Sequence, residues 1–446
     1  MDKPWQAMTP DERFQARVGQ WKSPEGVEFA TPEAAQGYQR RVQMFLDAIQ
    51  LRKPERIPVC PSAGFFPFHY AGVNAYEAMH DYERLGFAIK KYHADFLPDH
   101  RGSSLLYGPG KAFEILNYQL YRWAGHGLDH ETHYQFVEGE YMRADEYDLL
   151  INDPTDFFLR RFLPRIFGSL DSWQKIETLT DMLELPYTGP GFAPFGLPEV
   201  QEALHKLMEA GNAALEWLQA GLTIDRWTMT TLGLPGFAGG YSKAPFDMVG
   251  DTMRGTQAIL LDKFRQPKKV HAAMERMVPI AVECGVRSSK RARNPLIFMP
   301  LHKGADAFLS DKDFRTFYWP SLKAVILGMI KEGLVPYLFV EGSYTKRLDV
   351  IADPDIPAGR TLWMFDQIDL REVKKRFAGW ACFGGNLPVS MMKTGTPDDI
   401  RKTVRSLIDD VGRDGGYILS TSAPMYDSKS ENVRAFIETG KEYGAR

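Results

Sequence analysis

Cysteine is scarce in this chain: Cys60, Cys284 and Cys382 are the only thiols in 446 residues. They are too few and too scattered for a disulfide framework, which suits a reducing cytoplasm. No run of about 18 apolar residues occurs, so nothing reads as a membrane span. The opening MDKPWQAMTPDERFQARVGQWKSPEG is polar and carries acids, without the basic start and apolar core of a signal peptide. A net charge of −3 leaves no basic field, so nucleic acid is not an expected partner. The glycine-rich stretches GPG (108–110) and GFAGGYSKAP (236–245) match neither G-x-G-x-x-G after a strand nor a P-loop, and a nucleotide site is unsupported.

What is present is ordinary globular material, 44% hydrophobic and 25% charged. Aromatic residues reach 13%, which fits either a large core or an aromatic-lined cavity. Residues 1–55 read as a polar extension outside the main body, ending in a leading helix where Val42, Phe45, Leu46 and Ile49 fall at helical spacing. Eight short apolar runs follow: 57–63, 94–99, 222–229, 296–304, 335–342, 361–369, 381–388 and 416–424. Helical stretches such as 313–332 and 398–412 lie between them. Alternation of this kind predicts parallel βαβ units, and eight of them predict a closed (β/α)₈ barrel over 56–446, with an open sheet as the alternative. Residues 105–200 break the rhythm and read as an insertion on the catalytic face.

In such barrels the working groups sit where strands end. Several runs turn polar there: Asp99 closes the second, and Asp225 and Arg226 lie in the third. His302, Lys303 and Gly304 close the fourth, Glu341 the fifth, Asp366 and Asp369 the sixth, Asn386 the seventh, and Ser420 to Ser422 the eighth. Any one of these can be a helix cap or a satisfied buried acid. The set points to acid–base or metal-assisted chemistry, with His302, Glu341, Asp366 and Asp99 as catalytic candidates. Glu341, after YLFV, is expected to be partly desolvated. Lys303 can hold an anionic group, and Asn386 after two glycines suggests backbone close to a ligand. Asp369 reads better as the N-cap of LREVKKRF. Phe65, Phe66 and Tyr344 flank these ends as further candidates for substrate contact. In the insertion, His126, His130 and His133 with Glu138 and Glu140 match no zinc spacing, and His126 and Tyr134 read as substrate contacts.

RVQMFLDAIQLRKPERIPV, GGNLPVSMMKTGTPDDIRKTVRSLIDDVGRDGGYILSTSAP and ENVRAFIETGKEYG resemble the opening and closing segments of the uroporphyrinogen decarboxylase superfamily. The resemblance covers roughly residues 40–100 and 220–446, and it implies a (β/α)₈ barrel, often dimeric. Two chemistries are known there, and this chain departs from both. The decarboxylases carry an arginine-rich phrase after the first strand. Here PSAGFFPFHYAG has no arginine from Ser62 to Gly72, although Asp99 resembles their catalytic aspartate. The zinc-dependent methyltransferases of corrinoid proteins use a His-x-Cys pair and a further Cys; the matching positions hold Phe339, Glu341 and Ala423. A zinc or other divalent ion would then need oxygen and nitrogen ligands, Glu341 with His302 and Asp366.

The expected activity is methyl transfer from, or demethylation of, a small aromatic or ether substrate in the cytoplasm, with a corrinoid on a partner protein as acceptor. A non-oxidative decarboxylase of a carboxylated aromatic or tetrapyrrole is the alternative, and a non-catalytic tetrapyrrole- or aromatic-binding barrel the third. A homodimer is expected from the resemblance.

Overall fold

The computed structural model describes residues 3–182 and 184–445. Strands β1 (Tyr121–Ala124), β2 (Gly127–Leu128) and β3 (Tyr134–Phe136) make a small separate sheet. Strands β4 (Gly240–Tyr241), β5 (Leu296–Leu301), β6 (Val335–Val340), β7 (Leu362–Phe365), β8 (Cys382–Leu387) and β9 (Tyr417–Thr421) form the main sheet. All six run parallel and pair in chain order, with helices between them.

Two further segments complete the circuit through single bridges. Val59 bridges Leu419 of β9. Asp99 N donates to Val59 O at 3.1 Å, and Arg101 bridges Gly236. Gly239 N then donates to Leu296 O of β5 at 2.7 Å. Eight extended segments therefore follow one another around a ring, the order of a (β/α)₈ barrel.

The expected runs from 296 onward are β5 to β9. Three earlier ones need correction. The first is extended but makes only the Val59 bridge, and the second is helical through Phe96, bends at Asp99 and makes its bridge at Arg101. The third, 222–229, is helix: it belongs to Pro198–Leu232, with Ile224, Asp225 and Thr228 buried at helical spacing. That helix stops at Gly233 (φ +63°), where a side chain would collide with Ala34 O. The true third strand lies in GFAGGY. A Cβ at Gly239 would strike Asn294, and one at Gly240 would strike Ser288, so the close approach of the neighbouring chain demands glycine.

The N-terminal helices do more than pack outside. Pro10–Lys22 starts with a capping box from Thr9 and Glu12, and Pro32–Ile49 is capped by Thr31. Phe14, Trp21, Tyr38 and Phe45 pack with Leu296, Val335, Leu362, Cys382 and Ile418, the inward residues at the strand starts. They plug the lower end of the barrel. The expected insertion becomes a long connection between Arg101 and Gly236, holding the small sheet, several short helices and the Pro198–Leu232 helix. Among the described residues no helix is long and apolar enough to cross a membrane.

Asp99 also belongs to this lower end. It is fully buried, takes a bidentate pair from Arg56 at 2.5 and 2.6 Å, accepts from Val59 N at 2.8 Å, and lies 3.7 Å from Arg41. Burial works against its charge, but Arg56 outweighs burial and holds the carboxyl below its ordinary value. The catalytic expectation for Asp99 is corrected: its oxygens are occupied by Arg56 and the Val59 amide, and it ties the first two strand segments together. Removing Arg56 strands a buried carboxylate, so Arg56→Ala is expected to destabilise the fold by about 3–5 kcal/mol in chemical denaturation. A loss below about 1 kcal/mol, the level of an exposed pair, would show that the pair is not structural.

Candidate active site

Side chains alternate in and out along a strand. In β5, Ile297, Met299 and Leu301 face the surrounding helices, so Leu296, Phe298, Pro300 and then His302 face inward. The same parity carries Phe339 to Glu341, Met364 to Asp366, and Gly384 to Asn386. The inner wall therefore changes from apolar to polar at the strand ends, and His302, Glu341 and Asp366 reach the mouth from adjacent strands.

His302 is the hub. Its Nδ1 lies 2.5 Å from Asp251 Oδ2, and its Nε2 lies 3.4 Å from Glu341 Oε1. Asp251 is also paired with Lys243 at 2.5 Å and has Lys303 at 3.5 Å. Behind them, fully buried Asp247 accepts from His302 N at 3.0 Å, Lys303 N at 2.9 Å and the Tyr318 hydroxyl at 2.7 Å. These bonds fix the turn after β5. Asp247 and Asp251 stand four apart on the helix Pro245–Thr252, so both carboxylates leave the same face.

The charges are consistent with this geometry. Burial disfavours a charged imidazole at His302, yet the hydrogen bonds to Asp251 and Glu341 and the Asp251 and Asp247 charges prevail, raising its pKa to about 10. Burial and the neighbouring Asp251 push Asp247 upward. Asp251 is pulled down against burial by His302 and Lys243. Asp366, raised chiefly by burial, accepts from Gly342 N at 3.1 Å.

Other expected residues fall in several places. Tyr134 is exposed on β3 and lies close enough to Glu341 for that charge to reinforce the effect of burial in raising its hydroxyl pKa. Phe65 meets His133, Tyr134 and Tyr426 in an aromatic group that ties the small sheet to the loops after the first and last strand segments. Asn386 gives its amide to Asp366 O and Ile368 O at 3.1 and 2.6 Å, bracing a loop; with Asp366 and Ser422 it borders a cavity of about 450 Å³. Lys303 Nζ is held by Thr256 at 2.7 Å. Glu341 is 47% exposed, less desolvated than its apolar lead-in suggested.

Three expectations are corrected. Phe66 is buried among Tyr70, Tyr92 and Phe96 outside the barrel. Tyr344 is fully buried against Phe314, leaving it no surface for substrate. His126 bonds Glu114 at 2.9 Å and stacks on Trp123, committed to the insertion itself. Asp369 caps its helix as read, accepting from Arg371 N.

The expected metal ligands do not form a set. His302 directs one nitrogen at Asp251 and the other at Glu341, while Asp366 accepts from the Gly342 amide. Among the described residues no three His, Cys, Asp or Glu side chains converge as ligands. His126, His130 and His133 likewise diverge, to Glu114, to the face of Tyr76 and to Phe65. Sequence reading missed Asp247, Asp251 and Lys243; the available signal was a pair of acids four apart directly after a glycine-rich strand.

The sign of the His302 shift fixes a pH dependence. Its folded pKa lies above the ordinary 6.5, so its contribution to stability is whole below about 6.5 and lost as pH rises through about 10. The stability gap between the protein and His302→Gln, measured by denaturant titration, is expected to be wide at about pH 6 and to narrow by about pH 10.5. A gap that stays constant across that window would contradict the imidazolium network.

The comparisons with known proteins agree with this architecture. The uroporphyrinogen decarboxylase (URO-D) family profile matches residues 188–443. A uroporphyrinogen decarboxylase from Pseudoalteromonas translucida (strain TAC 125) is 23% identical over 234 residues, 51% of this chain and 64% of that protein, so the match spans less than two thirds of the relative. A methyltransferase from Methanosarcina mazei superposes with a TM-score of 0.58 at 14% identity, covering 91% of this chain and 98% of that one, which bears on fold alone. The chain belongs to the uroporphyrinogen decarboxylase family.

Proposed function

We propose that the chain transfers a methyl group from a small methylated compound, an aromatic or alkyl ether, with His302 as the general acid. The observation that carries this reading is the Asp251–His302–Glu341 chain at the barrel mouth. An ether oxygen is a poor leaving group unless it is protonated as the carbon–oxygen bond breaks. Asp251 orients the ring through Nδ1, as a carboxylate orients a catalytic imidazole, and Nε2 with its proton is left beside Glu341. The methyl carbon gains a bond to the acceptor, the carbon–oxygen pair stays with oxygen, and the His302 proton neutralises it. Glu341, half-exposed beside His302, is placed to return a proton to the ring from solvent. The acceptor in this reading is a corrinoid on a partner protein, which supplies the nucleophile. The residues expected to hold a metal are engaged within the protein, His302 with Asp251 and Glu341 and Asp366 with the Gly342 amide, and this reading therefore uses the His302 proton instead.

Decarboxylation is the second reading. It is favoured by Lys243 and Lys303, two cations beside the same acid that can attract a carboxylate, with His302 protonating the carbanion left by carbon dioxide.

The test supplies methyl-labelled aromatic ethers with reduced free cobalamin as a chemical acceptor and measures methyl transfer and carbon dioxide from carboxylated analogues in parallel. Methyl transfer is expected, falling by about 10²–10⁴-fold in His302→Gln. The loss should shrink with ethers whose leaving group is acidic enough to depart unprotonated. Carbon dioxide release without methyl transfer, or a His302→Gln variant at full rate, would overturn the proposal.

A further inference from the structure

At the lower end of the barrel, Asp99 is shared by three cations. Arg56 takes both its oxygens, Arg41 Nε stands 3.7 Å away, and Lys441 is near enough to feel its charge. One carboxylate balances one of them, which leaves two positive charges in excess in a largely buried place. Arg41 makes one hydrogen bond, from Nη1 to Gly233 O at 3.1 Å, and its Nε is buried without a hydrogen-bond partner. Lys441 donates to Leu97 O, a neutral group. Burial, with the like charge of Arg56, pulls the pKa of both Arg41 and Lys441 down against the attraction of Asp99.

A cavity of about 380 Å³ lies beside these cations, lined by Arg40, Arg41 and Arg56 and by the end of the Pro198–Leu232 helix. Gly37, one turn before Arg41, is part of its wall. A Cβ there would stand 2.8 Å from Arg41 Nη1, so the glycine leaves room for the guanidinium to lie along its own helix. Among the described residues Glu33 is the one acid in the wall. It is exposed, and its own amide and Thr31 already hold its charge. Arg40 is exposed as well and pairs with Glu55.

We propose that this cavity is an oxyanion site, separate from the barrel mouth, that takes a phosphate group as inorganic phosphate or as the monoester of a small metabolite. The match is one of charge, shape and size. A dianion cancels the two excess charges, and guanidinium forks present paired N–H donors to oxyanions. The volume sits near the lower bound of about 300 Å³ for small-molecule sites and equals the share of about a dozen waters. That is more than a phosphate ion fills, and Leu97 and Leu232 offer apolar wall to the carbon part of an ester. The groups come from distant parts of the chain: Arg41 from the Pro32–Ile49 helix, Arg56 from the lead into the first strand segment, and Lys441 from the last helix. An anion held among them draws together the segments that close the ring, so its binding is expected to stabilise the fold.

Titration calorimetry on the full chain tests it, with inorganic phosphate and glycerol 3-phosphate as probes and chloride holding the ionic strength constant. One site per chain is expected, with a dissociation constant below about 1 mM, and a melting temperature that rises with either probe. Arg41→Gln is expected to weaken binding by at least about 10-fold, and the exposed Arg40→Gln by about 3-fold. Glu33→Gln, which removes the acid from the wall, should tighten it by about 2-fold, a direction that damage to the fold would not produce. Should Arg41→Gln fail to fold, the two exposed variants decide. Tighter binding of glycerol 3-phosphate identifies a monoester as the ligand, and equal binding identifies free phosphate. Lys303→Gln, at the mouth, is expected to leave the affinity unchanged. No saturable binding of either probe by about 20 mM, an affinity indifferent to the arginine variants, or a loss in Lys303→Gln in their place would overturn the proposal.

Discussion

A strand in a closed barrel can aim each side chain only at the centre or at the surrounding helices, and a one-residue shift reverses every choice. That constraint places the mouth. Because Ile297, Met299 and Leu301 must face the helices, His302 must face the centre. The matching parity in β6 and β7 delivers Glu341 and Asp366 from neighbouring strands at similar height. The apolar half of each inner row meets the N-terminal helices below and the polar half meets solvent above.

Parity alone leaves an imidazole free to rotate. Asp247 and Asp251 remove that freedom in different ways. Asp247 holds the backbone of the turn through two amides and is steadied by Tyr318, while Asp251 holds the ring itself. Two carboxylates this close would repel if unaccompanied. His302 and Lys243 supply the charge that makes the pair tolerable, so binding geometry and electrostatics at this end of the barrel come from one cluster.

The C-terminal strands were legible because β5, β6, β7 and β9 carry enough bulky apolar residues to read as buried strands. β4 was not, since close packing against Asn294 and Ser288 leaves it glycine, which has no periodicity to read. The run 222–229 misled for the opposite reason: a short apolar stretch in a long helix looks like a strand until the residues before it are counted with it. At the site, His302, Glu341 and Asp366 could be found from strand-end position, whereas Asp247 and Asp251 come from a helix. Phe66 and Tyr344 show the limit of proximity in sequence, since a neighbour of a mouth residue can point directly away from it.

The bridge between Val59 and Leu419 joins segments separated by most of the chain. In the growing chain Phe14, Trp21, Tyr38 and Phe45 therefore emerge well before β5 to β9, and until those strands follow they pack chiefly on one another. Ring closure must wait until β9 has been made. Until then the inner row at the strand starts is incomplete and the helices that plug it are buried only in part, so the long-range closure of this ring lengthens the time that apolar surface stays exposed during folding.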